Sequence, residues 1–195
     1  MTAIPQNAPL VYITFSADIN PLTTETLIAN LTNCANAQVK NVYLAISTPG
    51  GQVANGLNLY NVLRGMPFEL TTHNVGNIDS VGNAVFLAGA KRYANANTSF
   101  MFHGVGFPTP PNIRLLQEKE CREFLDGILR EQARIGTVIS QNTKLSSEEI
   151  AELFKTTQTK DISFAINKGI IHEVREFKIM PGCPVISCVF QKQTT

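Results

Sequence analysis

No stretch of this sequence approaches the roughly 18 apolar residues of a membrane-spanning helix. The N-terminal Met1-Thr2-Ala3-Ile4-Pro5-Gln6-Asn7 also lacks the basic start and apolar run of a secretory signal. A soluble, cytoplasmic protein is the expectation. Charge of one sign is equally scarce: 16 Lys and Arg stand against 15 Asp and Glu, leaving a net charge of +1. That balance gives no electrostatic footprint for nucleic acid or for an anionic membrane. The four cysteines, Cys34, Cys121, Cys183 and Cys188, contain no close C-x-x-C pair of the kind zinc sites use, and the Cys183 to Cys188 spacing reads as incidental. A chain of this length does not need disulfides, so free thiols in a reducing compartment are expected. There is no internal repeat and no low-complexity tract. What remains is a chain of 195 residues, 44% hydrophobic, enough for one ordinary globular domain.

Strand-like and helical segments alternate along it. Pro9 to Phe15 is β-branched and aromatic and stops at Ser16-Ala17-Asp18-Ile19-Asn20-Pro21, whereas Thr23 to Ala35 carries Leu27, Ile28 and Leu31 at helical intervals. Val42 to Ile46 is apolar on both faces, as a parallel strand buried on both sides would be. A helix is expected over Val53 to Leu63, a strand over Phe68 to Val75, a buried uncharged helix over Val81 to Ala90, and strands at Lys91 to Ala94 and Thr98 to Phe102. After the Gly/Pro-rich Gly104 to Pro111, a long helix starts at Asn112 and runs to about Gln141, with Ile113, Leu116, Phe124, Leu125, Ile128, Leu129, Ile135, Val138 and Ile139 on its apolar positions. It is too long to pack wholly on a small sheet, which implies a partner chain. Further helices are expected from Ser146 and over Ile162 to Lys168, then a terminal strand over Val185 to Phe190. The alternation is the signature of an α/β fold with right-handed crossovers.

Three polar features fall at the ends of these elements. Ser80 sits between a polar turn and a small-residue helix, whose positive end favours developing negative charge. His103 ends the strand Ser99-Phe100-Met101-Phe102, and Ser47-Thr48-Pro49-Gly50-Gly51 ends another. A hydroxyl, an imidazole able to take its proton, and a glycine loop able to expose backbone N–H groups together suggest a serine acyl hydrolase. The backbone N–H groups of Gly51 and Val81 are the natural oxyanion donors. Each feature alone is also what a capped helix, a turn or a strand end would show. His73 and His172 read as surface or strand-end histidines rather than ligands. Lys91, beyond the buried helix, reads as a solvated residue rather than the lysine of a Ser-Lys dyad.

The order of these motifs resembles the ClpP family, the proteolytic subunits of Clp proteases. The likeness rests on Ser47-Thr48-Pro49-Gly50-Gly51, Gly76 through Ser80-Val81-Gly82, Ala88-Gly89-Ala90-Lys91-Arg92, Met101-Phe102-His103, and Ala165 with Gly169-Ile170-Ile171, and it runs from about Leu10 to Val174. It implies an α/β fold of the ClpP/crotonase superfold, with repeated ββα/βαβ units and a long handle helix. A single ClpP-like domain would span 1–195, with a head of about 1–111 and 143–195 and a handle of about 112–142. It further implies a serine endopeptidase with Ser80 as nucleophile, His103 as base, and Gly51 and Val81 as oxyanion donors. Heptameric rings, stacked as a tetradecamer, would enclose peptide or unfolded protein substrates. No metal or cofactor is needed, and ATP would belong to a separate Clp-type ATPase.

Departures from the family's pattern qualify that expectation. Its triad aspartate falls on Thr157, and the nearest carboxylate, Asp161, lies four residues further on. Threonine cannot offer an imidazolium a negative charge, a contribution of about four orders of magnitude in the serine-protease case. Asp79 stands beside the nucleophile where the family has a small residue, and the glycine loop carries the extra Thr48. The short segment before Leu10 lacks the family's axial pore loops, which weighs against docking to a Clp-type ATPase. Two alternatives therefore stand beside the peptidase: a catalytically impaired ClpP-like subunit with a structural role, and a crotonase-type acyl-thioester enzyme on the same superfold. Ser80 with His103 argues against the latter.

Overall fold

In the computed structural model, residues 4–108, 117–188 and 190 are described. Parallel strands dominate. β1 (Val11–Ser16), β2 (Asn41–Thr48) and β3 (Glu69–Asp79) lie side by side, with α1 (Pro21–Asn36) and α2 (Val53–Gly65) as the crossovers between them. The end of β3 pairs with β5 (Ser99–Phe102), while its first half pairs with the short β4 (Lys91–Ala94), so β3 serves two neighbours in turn. β6 (Gln158–Lys160) adds an antiparallel edge to β5, β7 (Glu173–Val174) pairs with β4, and β8 (Val185–Cys188) closes the other edge beside β1. Val11, Ile13, Phe15, Val42, Leu44 and Ile46 are fully buried on one face, and Tyr12 and Ala45 are buried on the other, which explains strands apolar on both faces.

The helix starts are set by side-chain caps. Asn20 accepts the Thr23 N–H at 3.1 Å while the Thr23 hydroxyl accepts the Asn20 N–H at 3.0 Å, and Pro21 follows at the first helical position. Ser146 and Glu149 make the same reciprocal box before α5 (Ser147–Thr156). α3 (Gly82–Phe86) is shorter than the expected Val81 to Ala90, because the Thr72 hydroxyl donates to the Phe86 carbonyl at 2.8 Å and Ala90 already pairs with Leu70. α4 (Glu118–Asn142) is the long helix; its expected start at Asn112, with Ile113 and Leu116, lies outside the described residues. The last helix is α6 (Ile162–Asn167), and β8 ends before Val189, which is also outside them.

Arg92 ties the far end of the molecule together. Nearly buried, its guanidinium donates to the carbonyls of Gly89, Asn142, Gly169 and Ile170 at 2.8–3.2 Å, joining the ends of α3, α4 and α6 with no carboxylate partner among the described residues. All four cysteines are free, Cys34 and Cys188 buried. Among the described residues no helix is long and apolar enough to cross a membrane.

Candidate active site

Parallel strands discharge their carboxyl ends at one edge of a sheet, where loops can converge on a ligand. Here β1 runs out to Asp18-Ile19, β2 to Thr48-Pro49-Gly50-Gly51, β3 to Asp79-Ser80 and β5 to His103. The structure thus brings Ser80, His103 and the glycine loop to the same edge.

Ser80 occupies a sharp strand-to-helix turn with φ of 57°, a left-handed conformation that costs a serine energy and must be held by its surroundings. Its N–H donates to the Met101 carbonyl at 2.9 Å. Asn83, buried one turn on, donates through Nδ2 to both the Ser80 and Met101 carbonyls at 3.0 and 2.9 Å, pinning the turn to β5. Val81 is buried against Gly56 of α2. Gly50, at φ of 85°, lies so close that a Cβ would stand 2.6 Å from the Ser80 Cβ and 2.7 Å from the Asp79 carbonyl oxygen. Gly51 bridges to Ile19, through Ile19 N–H to Gly50 O at 2.7 Å and Gln52 N–H to Ile19 O at 2.8 Å. Among the described residues no group accepts from the N–H of Gly51 or Val81, as donors waiting for an oxyanion require. The extra Thr48 is buried and structural: its hydroxyl accepts the Gly50 N–H at 3.1 Å.

His103 is half-buried at the end of β5. The antiparallel register Met101 to Thr159 and Phe102 to Gln158, continued one step, sets Thr157 opposite His103. Asp161 lies four residues along a path running away from His103, roughly 13 Å at ~3.3 Å per residue. Its exposed carboxylate caps α6, accepting the Phe164 N–H at 2.9 Å. The register thus leaves Thr157 nearer to His103 than Asp161, with Thr157 exposed and in a left-handed conformation at φ of 48°. On the other side of β5, Asp79 is half-buried and accepts from Asn77 Nδ2 at 2.5 Å. Burial raises its pKa, opposed by the Asn77 hydrogen bond and the charge of His103. Asn77 also exchanges hydrogen bonds with the Ser47 hydroxyl and reaches the Thr48 carbonyl, so it couples Asp79 to the glycine loop. Sequence reasoning passed over Asn77 and Asn83; the signal was two amides flanking Ser80 where a strand and an apolar helix would otherwise be expected to carry none.

A model of the Clp protease family matches residues 10–178. The chain belongs to the Clp protease family. A ClpP1 mutant from Listeria monocytogenes is similar in structure at a TM-score of 0.75 and 21% identity, over 86% of this chain and 92% of that one, so the two share the fold. In this Clp protease family member, a cleft of about 600 Å³ opens beside the glycine loop, between Asp18 and Ile19, Gly51 to Ala54, Val105 to Pro108, and Glu131 with Arg134 of α4. Other residues fall away from it. Lys91, more than half exposed, pairs with Glu69 at 2.5 Å at the opposite end of β3. His172 is exposed, with Nδ1 accepting the Arg92 N–H at 3.2 Å.

His73 corrects an expectation: it is neither at the surface nor at a strand end. β3 continues to Asp79, which leaves His73 mid-strand and fully buried. Its Nε2 is 2.7 Å from Asn95 Oδ1, which also accepts the Phe177 N–H, so Nε2 carries the hydrogen and Nδ1 accepts from the Tyr43 hydroxyl at 2.6 Å. Burial lowers its pKa and pushes that of Tyr43 up to about 12.

Proposed function

We propose that this Clp protease family member is a serine endopeptidase in which Ser80 attacks a peptide carbonyl and His103 takes the hydroxyl proton. The carbonyl π pair moves onto oxygen, where the N–H groups of Gly51 and Val81 receive it. Collapse breaks the C–N bond, His103 passes its proton to the leaving amine, and an acyl-Ser80 ester remains. Water, deprotonated by His103, then attacks that ester and releases acid and free Ser80. The observation that carries this reading is the strained Ser80 turn packed under Gly50, with two unclaimed N–H groups beside it and His103 on the adjoining strand end. Peptides or unfolded proteins would be the substrates, lying in the cleft beside the glycine loop.

The exposed apolar positions of α4, Leu125 at 54% and Leu129 at 52%, support a homo-oligomer in which this helix is the handle. Rings of seven and a Clp-type ATPase partner follow from the family alone. A second reading, an impaired subunit with a structural role, is favoured by Thr157 standing where His103 would meet a carboxylate.

Labelling with a fluorophosphonate, followed by adduct mass, separates the two. Wild type is expected to gain one adduct per chain, lost in Ser80→Ala and slowed on the order of 1,000-fold or more in His103→Ala, as for a nucleophile without its base. An oligomer that takes no label overturns the peptidase reading.

A further inference from the structure

Resting on the peptidase reading, we infer that Asp79 is the positioning carboxylate that stabilises the His103 imidazolium, in place of an acid at the position facing that histidine. The parallel register of β3 with β5 sets Asn77 beside Ser99, Ile78 beside Phe100 and Asp79 beside Met101. Side chains alternate along a strand, so Asp79, Met101 and His103 share one face. Burial follows the same alternation: Ile78, Phe100 and Phe102 are buried on the opposite face, whereas Asp79, Met101 and His103 are all half-buried. Diagonal neighbours across paired strands are about 7–8 Å apart, a distance over which a charge in a half-buried cleft still acts.

Other groups around the imidazole leave that role open. β6 sets Thr159 opposite Met101, with Thr157 at the α5 C-cap just before it, neither of them ionisable at neutral pH. From α4, Gln132 lies beside Gly104, while Glu131 and Arg134 bond each other at 2.9–3.0 Å. The last turn of α5 brings the Phe154 carbonyl towards Gly104, with Lys155 exposed. Asp18 lies in the cleft across the glycine loop. Asp161 is committed to its helix cap. Asp79, in contrast, is half-buried in the cleft; burial raises its pKa, and the hydrogen bond from Asn77 and the charge of His103 oppose that rise. The carboxylate beside the nucleophile thus belongs to the histidine side of the site.

The sign of the effect is definite. Neutral His103 is the base, so labelling of Ser80 has an acid limb. A negative neighbour favours the charged imidazolium, so removing it moves the acid limb to lower pH while weakening the base and the charge stabilisation of the transition state. Asp79→Asn is expected to label more slowly at the plateau, on the order of 10- to 100-fold, with its acid limb displaced downward. Asp79→Glu keeps the charge and is expected to keep the limb. Thr157→Asp, placed in the Asp79→Asn background, is expected to recover rate and limb together by supplying the facing carboxylate. An acid limb indifferent to Asp79→Asn but moved by Asp161→Asn overturns the inference and leaves the peptidase reading intact. Absence of label on wild-type Ser80 overturns that reading and this inference with it.

Discussion

At the scale of single residues, the site depends on backbone that only particular residues tolerate. Ser80 holds a left-handed conformation at the end of a strand, and Gly50, also left-handed, presses its bare Cα against it. Any side chain at 50 would collide with Ser80 and the Asp79 carbonyl, and these are backbone and a locked turn rather than the free end of a flexible group. Gly50→Ala is therefore expected to cost about 1–3 kcal/mol of stability from the strained φ. Displacement of the Ser80 hydroxyl should slow fluorophosphonate labelling on the order of 100-fold. Thermal melting beside labelling kinetics checks both, and an alanine variant that labels at the wild-type rate contradicts the packing described. The pair was half legible in the sequence: two adjacent glycines announce a special turn, but nothing in their spacing says that the loop folds over a serine some thirty positions away.

Elements were the most legible level where one pattern governs a whole segment, as in the apolar centres of β1 and β2 and in the long amphipathic α4. Legibility failed where a tertiary contact sets a boundary. The expected helix from Val81 to Ala90 stops at Phe86 because Thr72, on a neighbouring strand, takes the Phe86 carbonyl. α4 also shows what a lone chain leaves unfinished. Ile135, Val138 and Ile139 near its C-terminal end are buried, whereas Leu125 and Leu129, one turn apart, stand in solvent with Phe124 and Ile128 half-covered beside them. Burying such a leucine stabilises by roughly 1.5–3 kcal/mol, enough to drive association when repeated around an assembly. Leu125→Glu with Leu129→Glu is expected to lower the sedimentation coefficient to that of a smaller species, while the far-ultraviolet circular dichroism stays unchanged. A double variant that sediments with the wild type would remove this face from the interface.

For the whole molecule, the sheet divides its work between two regions. The carboxyl ends of β2, β3 and β5 gather the polar groups of the candidate site, while the middle of β3 buries an aromatic cluster in which His73 touches Tyr43, Tyr93 and Phe177. The first region was readable from motifs in order, because chemistry needs particular residue types. Its third member was not, because register between β5 and β6, rather than sequence distance, decides which of Thr157 and Asp161 lies nearer to His103. The second region could not be read, since a histidine in a strand looks alike whether the strand stops there or runs on. Its burial gives the molecule an acid weakness. Burial lowers the His73 pKa below the ordinary 6.5, and burial with the charge of Arg92 lowers that of His172 in the same sense. The unfolded chain takes up these protons near pH 6.5 and the native state does not, so stability is complete above that pH and falls as the pH drops below it. The midpoint of thermal unfolding is expected to decline between pH 7.5 and 5.5 in wild type. His73→Gln, although less stable throughout, should show a flatter decline, and His172→Asn should recover a smaller part of the slope. Equal slopes in wild type and His73→Gln would mean that the protons enter elsewhere and that His73 is not what limits this fold in acid.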